Sequence, residues 1–110
     1  MSTTHLVYDT GTLHLAPGPA LQIGPNLDVR KYAKIRLIAH DFVSPGGATL
    51  IDLLVKEGSV ELPVLTGIEV TGSGPVDVVL DVPGRELQIW VHEIAKAARR
   101  LHILLFGLEL

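Results

Sequence analysis

Five histidines are the side chains in this sequence best suited to metal binding or proton transfer. They are His5, His14, His40, His92 and His102. A metal centre needs three or four ligands that converge in space. No two of the histidines have the H-x-H or H-x-x-x-H spacing that a single strand or helix turn would bring together. His92 and His102 could meet across two strands, with Glu93 nearby, but the spacing favours histidines on strand faces and predicts no metal and no cofactor.

Residues for covalent catalysis are missing or lack their usual context. The chain has no cysteine, which excludes thiolate nucleophiles, zinc–thiolate sites and disulfide bonds. It contains no G-x-S-x-G, no P-loop and no G-x-G-x-x-G motif. Ser44, Ser59 and Ser73 stand beside turn residues, where serine is common in any protein. We therefore predict no catalytic residue and no enzyme activity. A metal-dependent jelly-roll enzyme would need a histidine cluster that the spacing does not supply.

Charged residues occur in groups that are typical of solvated faces. Asp77 and Asp81 share one side of a strand, and Asp52 could lie on a nearby one, but no calcium loop of the D-x-D-x-D-G type is present. Basic residues cluster in Arg30–Arg36 and Lys96–Arg100 with little aromatic interleaving, and the formal net charge is −3. These features predict no nucleic-acid partner. No run approaches the roughly 18 apolar residues of a membrane span, and the N-terminus does not resemble a signal peptide.

Trp90 is the only tryptophan and the best candidate for ligand binding. Strand alternation places it on the polar side of its strand, together with Gln88 and His92. An aromatic ring flanked by hydrogen-bonding groups could stack on a sugar ring or anchor a partner protein. The alternative is a tryptophan that lies under a loop or within a subunit contact.

The strands that must position these side chains are predicted by alternating apolar residues. Val76–Val82 and Arg85–Val91 each alternate, and Pro83-Gly84 between them suits a type II turn, so the two runs are expected to form a hairpin. Thr4–Tyr8 and Thr12–Ala16 similarly predict an opening hairpin. Pro63 interrupts another run and favours an edge strand or a bulge there.

The stretch Arg85–Phe106 also fits a second interpretation. Its apolar residues recur at helical spacing, and Ala95, Ala97 and Ala98 favour helix, so it could form one amphipathic helix. Its β-branched residues favour strand instead. We expect a strand, a short helical or irregular turn at Ile94–Arg99, and a final strand, with the helix left open as an alternative.

Turn residues punctuate the whole chain at short intervals, with 11 glycines and 7 prolines among 110 residues. Many short strands between Gly/Pro turns predict a sandwich or barrel. The hydrophobic fraction of 47% supports a well-buried core within a single domain covering residues 1–110. The predicted fold class is all-β: an antiparallel, jelly-roll-like β-sandwich of about eight to ten short strands.

Three sequence segments resemble those of a known family of domains. They are Tyr32–His40 (YAKIRLIAH), Val82-Pro83-Gly84 before a strand, and the closing Ile103–Gly107 (ILLFG). They resemble small jelly-roll β-sandwich domains of the galactose-binding-like kind or of trimeric tail and appendage proteins. The resemblance implies the fold and a binding or assembly role, and it transfers no functional residue.

Surplus apolar residues lead to the first functional hypothesis, a non-catalytic assembly module that forms a homo-oligomer, with a trimer among the options. A monomer rarely exposes a large contiguous apolar area. The predicted contact residues are Ile38, Leu50, Leu54, Leu104, Phe106 and Leu108. The alternative hypothesis is a carbohydrate- or ligand-binding module that uses the face around Trp90.

Overall fold

The computed structural model describes residues 3–16, 18–42, 49–71, 74–82, 84–91 and 99–109. These residues form eight strands: β1 (Thr3–Leu15), β2 (Leu21–Asp28), β3 (Lys34–Asp41), β4 (Thr49–Glu57), β5 (Val60–Val70), β6 (Val76–Asp81), β7 (Glu86–Val91) and β8 (Arg99–Glu109). Every pairing between them is antiparallel. Within the described ranges no helix is long and apolar enough to cross a membrane.

The strands form two four-stranded sheets. The first sheet has the order β1-β8-β3-β6, and the second has the order β2-β7-β4-β5. Strand β1 therefore pairs with β8, β2 with β7, β3 with β6, and β4 with β5. The chain changes sheet at every connection except the turn at Gly58, where β4 and β5 form a hairpin. This order confirms the predicted antiparallel, jelly-roll-like sandwich.

The core lies between the two sheets and is almost entirely aliphatic. The first sheet contributes Ile35 and Leu37 from β3 and Ile103 from β8, and the second contributes Leu53 and Ile89, all fully buried. Each side chain of this kind stabilises the folded state by about 1.5–3 kcal/mol. The alternation read in Arg85–Val91 is confirmed, because its apolar residues Leu87, Ile89 and Val91 are the inward side of β7.

The opening hairpin predicted from Thr4–Tyr8 and Thr12–Ala16 is wrong, because residues of both runs form one continuous strand. β1 runs from Thr3 to Leu15 and pairs along its length with β8, with a register shift between Asp9 and Thr12. Gly11 has φ of 63°, and its N–H donates a 2.8 Å hydrogen bond to Oδ1 of Asp9. The turn-like residues thus form a bulge, which shifts the register without reversing the chain.

The hairpin predicted from Val76–Val82 and Arg85–Val91 is also wrong. β6 pairs with β3 in the first sheet, whereas β7 pairs with β2 and β4 in the second. The segment around Gly84 therefore connects the two sheets. In contrast, the prediction of an edge strand at Pro63 is confirmed, because β5 lies at the edge of the second sheet.

The helical alternative for Arg85–Phe106 is wrong as well, because β7 and β8 are strands. Leu101, Ile103 and Leu105 point into the core, and the alternate residues of β8 face outwards. Of the turn predicted at Ile94–Arg99, only Arg99 lies within the described residues, where it begins β8.

Candidate functional site

The outer face of the second sheet carries Trp90 at its centre. On β7, Trp90 lies opposite Gln22 of β2 on one side and Asp52 of β4 on the other. Gln88, the next outward residue of β7, lies opposite Leu54. We call this surface the Trp90 face. Its further outward residues are Leu50, Lys56, Glu61, Glu69 and Glu86.

A chain of side-chain hydrogen bonds holds the tryptophan and its neighbours in place. Nε1 of Trp90 donates to Oε1 of Gln88 at 3.0 Å. Nε2 of Gln88 donates to Oδ1 of Asn26 at 3.0 Å and to Oε1 of Glu61 at 3.4 Å. Because Gln88 is only 3% exposed, both ends of its amide must find protein partners, and both do. The indole N–H can only donate, which fixes the orientation of this amide.

Asn26 joins the network because β2 is irregular. Its Oδ1 accepts a second hydrogen bond, at 2.9 Å, from Nε2 of Gln22. In a regular strand two residues four apart are separated by about 13 Å, which is too far for this contact. The register of β2 shifts between Ile23 and Leu27, and Gly24 in that stretch has φ of 74°. The bulge therefore brings Asn26 to the Trp90 face.

The indole ring is placed so that it can act as a platform. Trp90 and Gln88 lie on the same side of β7. Because the indole N–H donates a hydrogen bond to Gln88, the indole ring must lean along the strand towards that residue. Trp90 is half-buried, although its neighbours on the strand, Ile89 and Val91, are fully buried. A ring fixed in this way can pack one face against the apolar side of a flat ligand.

Negative charge predominates on the Trp90 face. Its described residues include the carboxylates of Asp52, Glu61, Glu69 and Glu86, against the single ammonium of Lys56. Asp52 is oriented by the backbone N–H of Gly67, at 2.8 Å from its Oδ1. This charge distribution disfavours an anionic ligand.

The far end of the face, beyond Glu86, opens into a hollow of about 320 Å³ lined by Asn26, Asp28, Arg30, Arg85 and Glu86. The Arg30 guanidinium binds both carboxylate oxygens of Asp28, at 3.1 and 2.8 Å. This hydrogen bonding lowers the pKa of Asp28 and raises that of Arg30. The two charges thus offset each other, so the hollow does not form a cationic site.

Of the three residues predicted to bind a ligand, the structure brings Trp90 and Gln88 into direct contact. His92 lies outside the described residues. The strands expected to join His92 and His102, β7 and β8, lie in different sheets. His102 instead contacts Oδ1 of Asp9 at 2.6 Å. The pKa of Asp9 is lowered mainly by the hydrogen bond from the Gly11 backbone N–H and to a smaller extent by this contact with His102.

Two further carboxylates, Glu109 and Asp77, form pairs across neighbouring strands. His5 contacts Glu109 at 2.9 Å, and Arg36 binds Asp77 across strands through a 2.8 Å bond to its Oδ1. That ion pair lowers the pKa of Asp77. Among the residues the structure describes, no group of three or more potential ligands could hold a metal ion.

The six predicted oligomer-contact residues do not share one surface. Leu50 and Leu54 belong to the Trp90 face of the second sheet. The other four, Ile38, Leu104, Phe106 and Leu108, lie on the outer face of the first sheet. There they adjoin Leu6 and Val79, which are 55% and 53% exposed. We call these six first-sheet residues the apolar band.

Comparisons with known proteins agree with the fold. No family model matches the sequence, and no curated protein matches it significantly. Two solved structures are similar: a mutant of a carbohydrate-binding module of family 29, and a mutant of a family 29 module from work on ligand recognition by that family. Each has a TM-score of 0.53 and 14% identity and covers 98% of this chain, matching 92% and 86% of the respective structures. At this identity the likeness establishes the β-sandwich fold alone.

Gln22, Asn26 and Glu61 are the site residues that sequence reasoning missed. They reach Gln88 or its partner only because β2 and β5 flank the β7–β4 pair in one sheet. The sequence carries no signal for that arrangement, apart from the outward position of Gln22 between Leu21 and Ile23.

Proposed function

We propose that this protein is a non-catalytic carbohydrate-binding module, and that the Trp90 face is its binding surface. The observation that carries the proposal is the hydrogen-bonded set of Trp90, Gln88, Asn26 and Gln22. A sugar ring has apolar C–H groups on its faces and hydroxyls at its edge. It therefore suits a fixed aromatic platform bordered by the accessible amides of Gln22 and Asn26, since an amide can both donate and accept hydrogen bonds. The buried amide of Gln88 holds this arrangement in place.

The likeness to two carbohydrate-binding modules supports the same proposal. The charges of the site add a preference to it. Asp52 lies opposite Trp90, and Glu61 and Glu86 lie on the same face, so these carboxylates would repel a uronic acid or a sulfated sugar. Uncharged sugars are the class that the face suits.

Trp90 itself provides the measurement, because it is the only tryptophan and its fluorescence reports directly on the site. We expect titration with soluble gluco-, manno-, xylo- and galacto-oligosaccharides to change that fluorescence for at least one sugar type, with binding confirmed by calorimetry. Trp90→Ala should weaken binding by at least about 30-fold, as loss of a central aromatic anchor commonly costs 2 kcal/mol or more.

Phe106→Ala is the matched control. Phe106 is also a half-buried aromatic residue near the middle of a sheet, but it lies on the opposite outer face of the sandwich. Its removal should leave sugar binding unchanged. If no sugar in the panel binds, or if both variants bind sugar as well as the wild type, the Trp90 face is not a carbohydrate site.

The apolar band supports a second candidate function, assembly into a homo-oligomer. In this band Leu6 lies opposite Phe106, and Val79 lies on the far side of Arg36 from Phe106, so the Arg36–Asp77 ion pair divides the apolar surface. Exposed apolar area of this kind is commonly covered by another protein surface. Light scattering coupled to size exclusion should then show a mass above that of the monomer.

Leu6→Lys tests that candidate with little risk to the fold, because Leu6 is 55% exposed on an edge strand. It should dissociate the oligomer, whereas Leu62→Lys, at a residue 52% exposed on the edge of the second sheet, should not. A wild-type monomer at all concentrations would rule out assembly and leave the carbohydrate proposal untouched.

A further inference from the structure

The aromatic residues of the chain limit how many sugar rings the Trp90 face could stack. The sequence has one tryptophan, two tyrosines and two phenylalanines, and the structure describes all five. Tyr32 is buried, Phe106 faces outwards on the first sheet, and Phe42 follows β3 of that same sheet. Tyr8 lies on β1, in the first sheet. Trp90 is therefore the only one of the five on the Trp90 face.

The polar groups around the tryptophan are distributed unevenly. Towards Glu86 lie the buried amide of Gln88, the amide of Asn26 and then the hollow of about 320 Å³. In the opposite direction along the strands, the described residues of the face are Leu50 and Glu69, which pair with each other. The amide of Gln88 is buried and already bonded within the protein. Among the described residues, the accessible groups that could bind sugar hydroxyls therefore lie mostly on the Glu86 side: Asn26, Lys56, Glu61 and Glu86, against Glu69 on the other.

The length of that polar path sets the size of the ligand. From Trp90 to Glu86 is four residues along β7, or about 13 Å in a strand. This is roughly the span of two or three linked sugar rings. We propose that the protein recognises a short saccharide or a chain end, with one ring stacked on Trp90 and the next one or two directed past Asn26 towards Glu86. This inference rests on the carbohydrate-binding proposal.

Affinity as a function of ligand length is the test. With gluco-, manno- and xylo-oligosaccharides of one to six rings, calorimetry should show affinity rising by at least about tenfold from one ring to three and then staying constant within about twofold. An affinity that keeps rising to six rings would overturn the short-ligand inference and leave the carbohydrate-binding proposal standing. Absence of binding at every length would instead overturn the carbohydrate-binding proposal itself.

Two matched variants test the direction of the ligand. Glu86→Gln and Glu69→Gln remove the same charge from opposite ends of the face. Glu86→Gln should change the affinity for the three-ring sugar at least about threefold and leave the single sugar unaffected. Glu69→Gln should change neither. A three-ring affinity that responds to Glu69→Gln, or does not respond to Glu86→Gln, would contradict the proposed direction.

Discussion

At the scale of single residues, the bulge of β2 depends on a glycine that meets a neighbour from the other sheet. Gly24 has φ of 74°, a conformation that strains any residue with a Cβ. A Cβ built there would lie 2.4 Å from the hydroxyl oxygen of Tyr8, which belongs to β1. Gly24 therefore allows both the bulge that positions Asn26 and the close approach of Tyr8.

Gly24→Ala should consequently destabilise the protein more than the same change at a glycine with free space. Gly11 is the matched control, because its φ is 63° and nothing lies within 4 Å of its Cβ position. We expect Gly11→Ala to cost about 1–2 kcal/mol from backbone strain alone. Gly24→Ala should cost about 1–3 kcal/mol more, because Tyr8 must move. Urea unfolding measures both, and equal losses would show that Tyr8 does not pack on Gly24.

At the scale of the elements, the two sides of β8 differ in burial: one side packs into the core, and the other faces outwards. Ile103 is fully buried, whereas its neighbour Leu104 is half-buried in the apolar band. We expect Ile103→Ala to lower the free energy of unfolding by about 3–4 kcal/mol and Leu104→Ala by less than about 1.5 kcal/mol. Chemical unfolding at low micromolar protein concentration makes the comparison. A loss at Leu104 as large as that at Ile103 would mean that the outer face of the first sheet is covered, as assembly would require.

The same strands show what alternation can and cannot predict. Period-two patterning in Val76–Val82 and Arg85–Val91 identified the inward sides of β6 and β7, because burial of one face fixes which residues alternate. It said nothing about which strands are neighbours. The turn signals around Gly84 and Gly11 therefore suggested local hairpins, and the chain instead crosses between sheets at the first and makes a bulge at the second.

The candidate site was predictable to the same extent. Trp90 and Gln88 are two residues apart on one strand, so their shared side followed from the sequence. Asn26 and Glu61 come from β2 and β5, and their contacts with Gln88 depend on long-range pairing and on a bulge. No local sequence pattern predicts the long-range pairing or the bulge.

At the scale of the whole molecule, the pairing of β1 with β8 joins the two most distant strands of the chain. Thr3 lies opposite Glu109, so the described residues begin and finish side by side. Closing such a large loop costs conformational entropy before the contacts can compensate for it. Sandwiches built from non-local pairs accordingly fold in milliseconds to seconds.

A circular permutant should remove that cost without changing any strand pair. Joining Leu110 to Met1 through one added glycine makes the β8–β1 connection a short loop, and the new ends can be placed between Pro19 and Ala20. Both of these residues are exposed, and they lie between strands of different sheets. We expect this permutant to keep the wild-type structure and to refold roughly tenfold faster, as followed by the fluorescence of Trp90 in stopped flow.

A second permutant, with the same joined ends but opened at Gly58, provides the control. It gains the local β8–β1 pair but loses the connection within the β4–β5 hairpin, the only pair of strands adjacent in sequence that are hydrogen-bonded among the described residues. It should therefore refold more slowly than the first permutant. If the first permutant refolds at the wild-type rate, the β1–β8 pair forms after the rate-limiting step, and closing the largest loop of the fold does not control its speed.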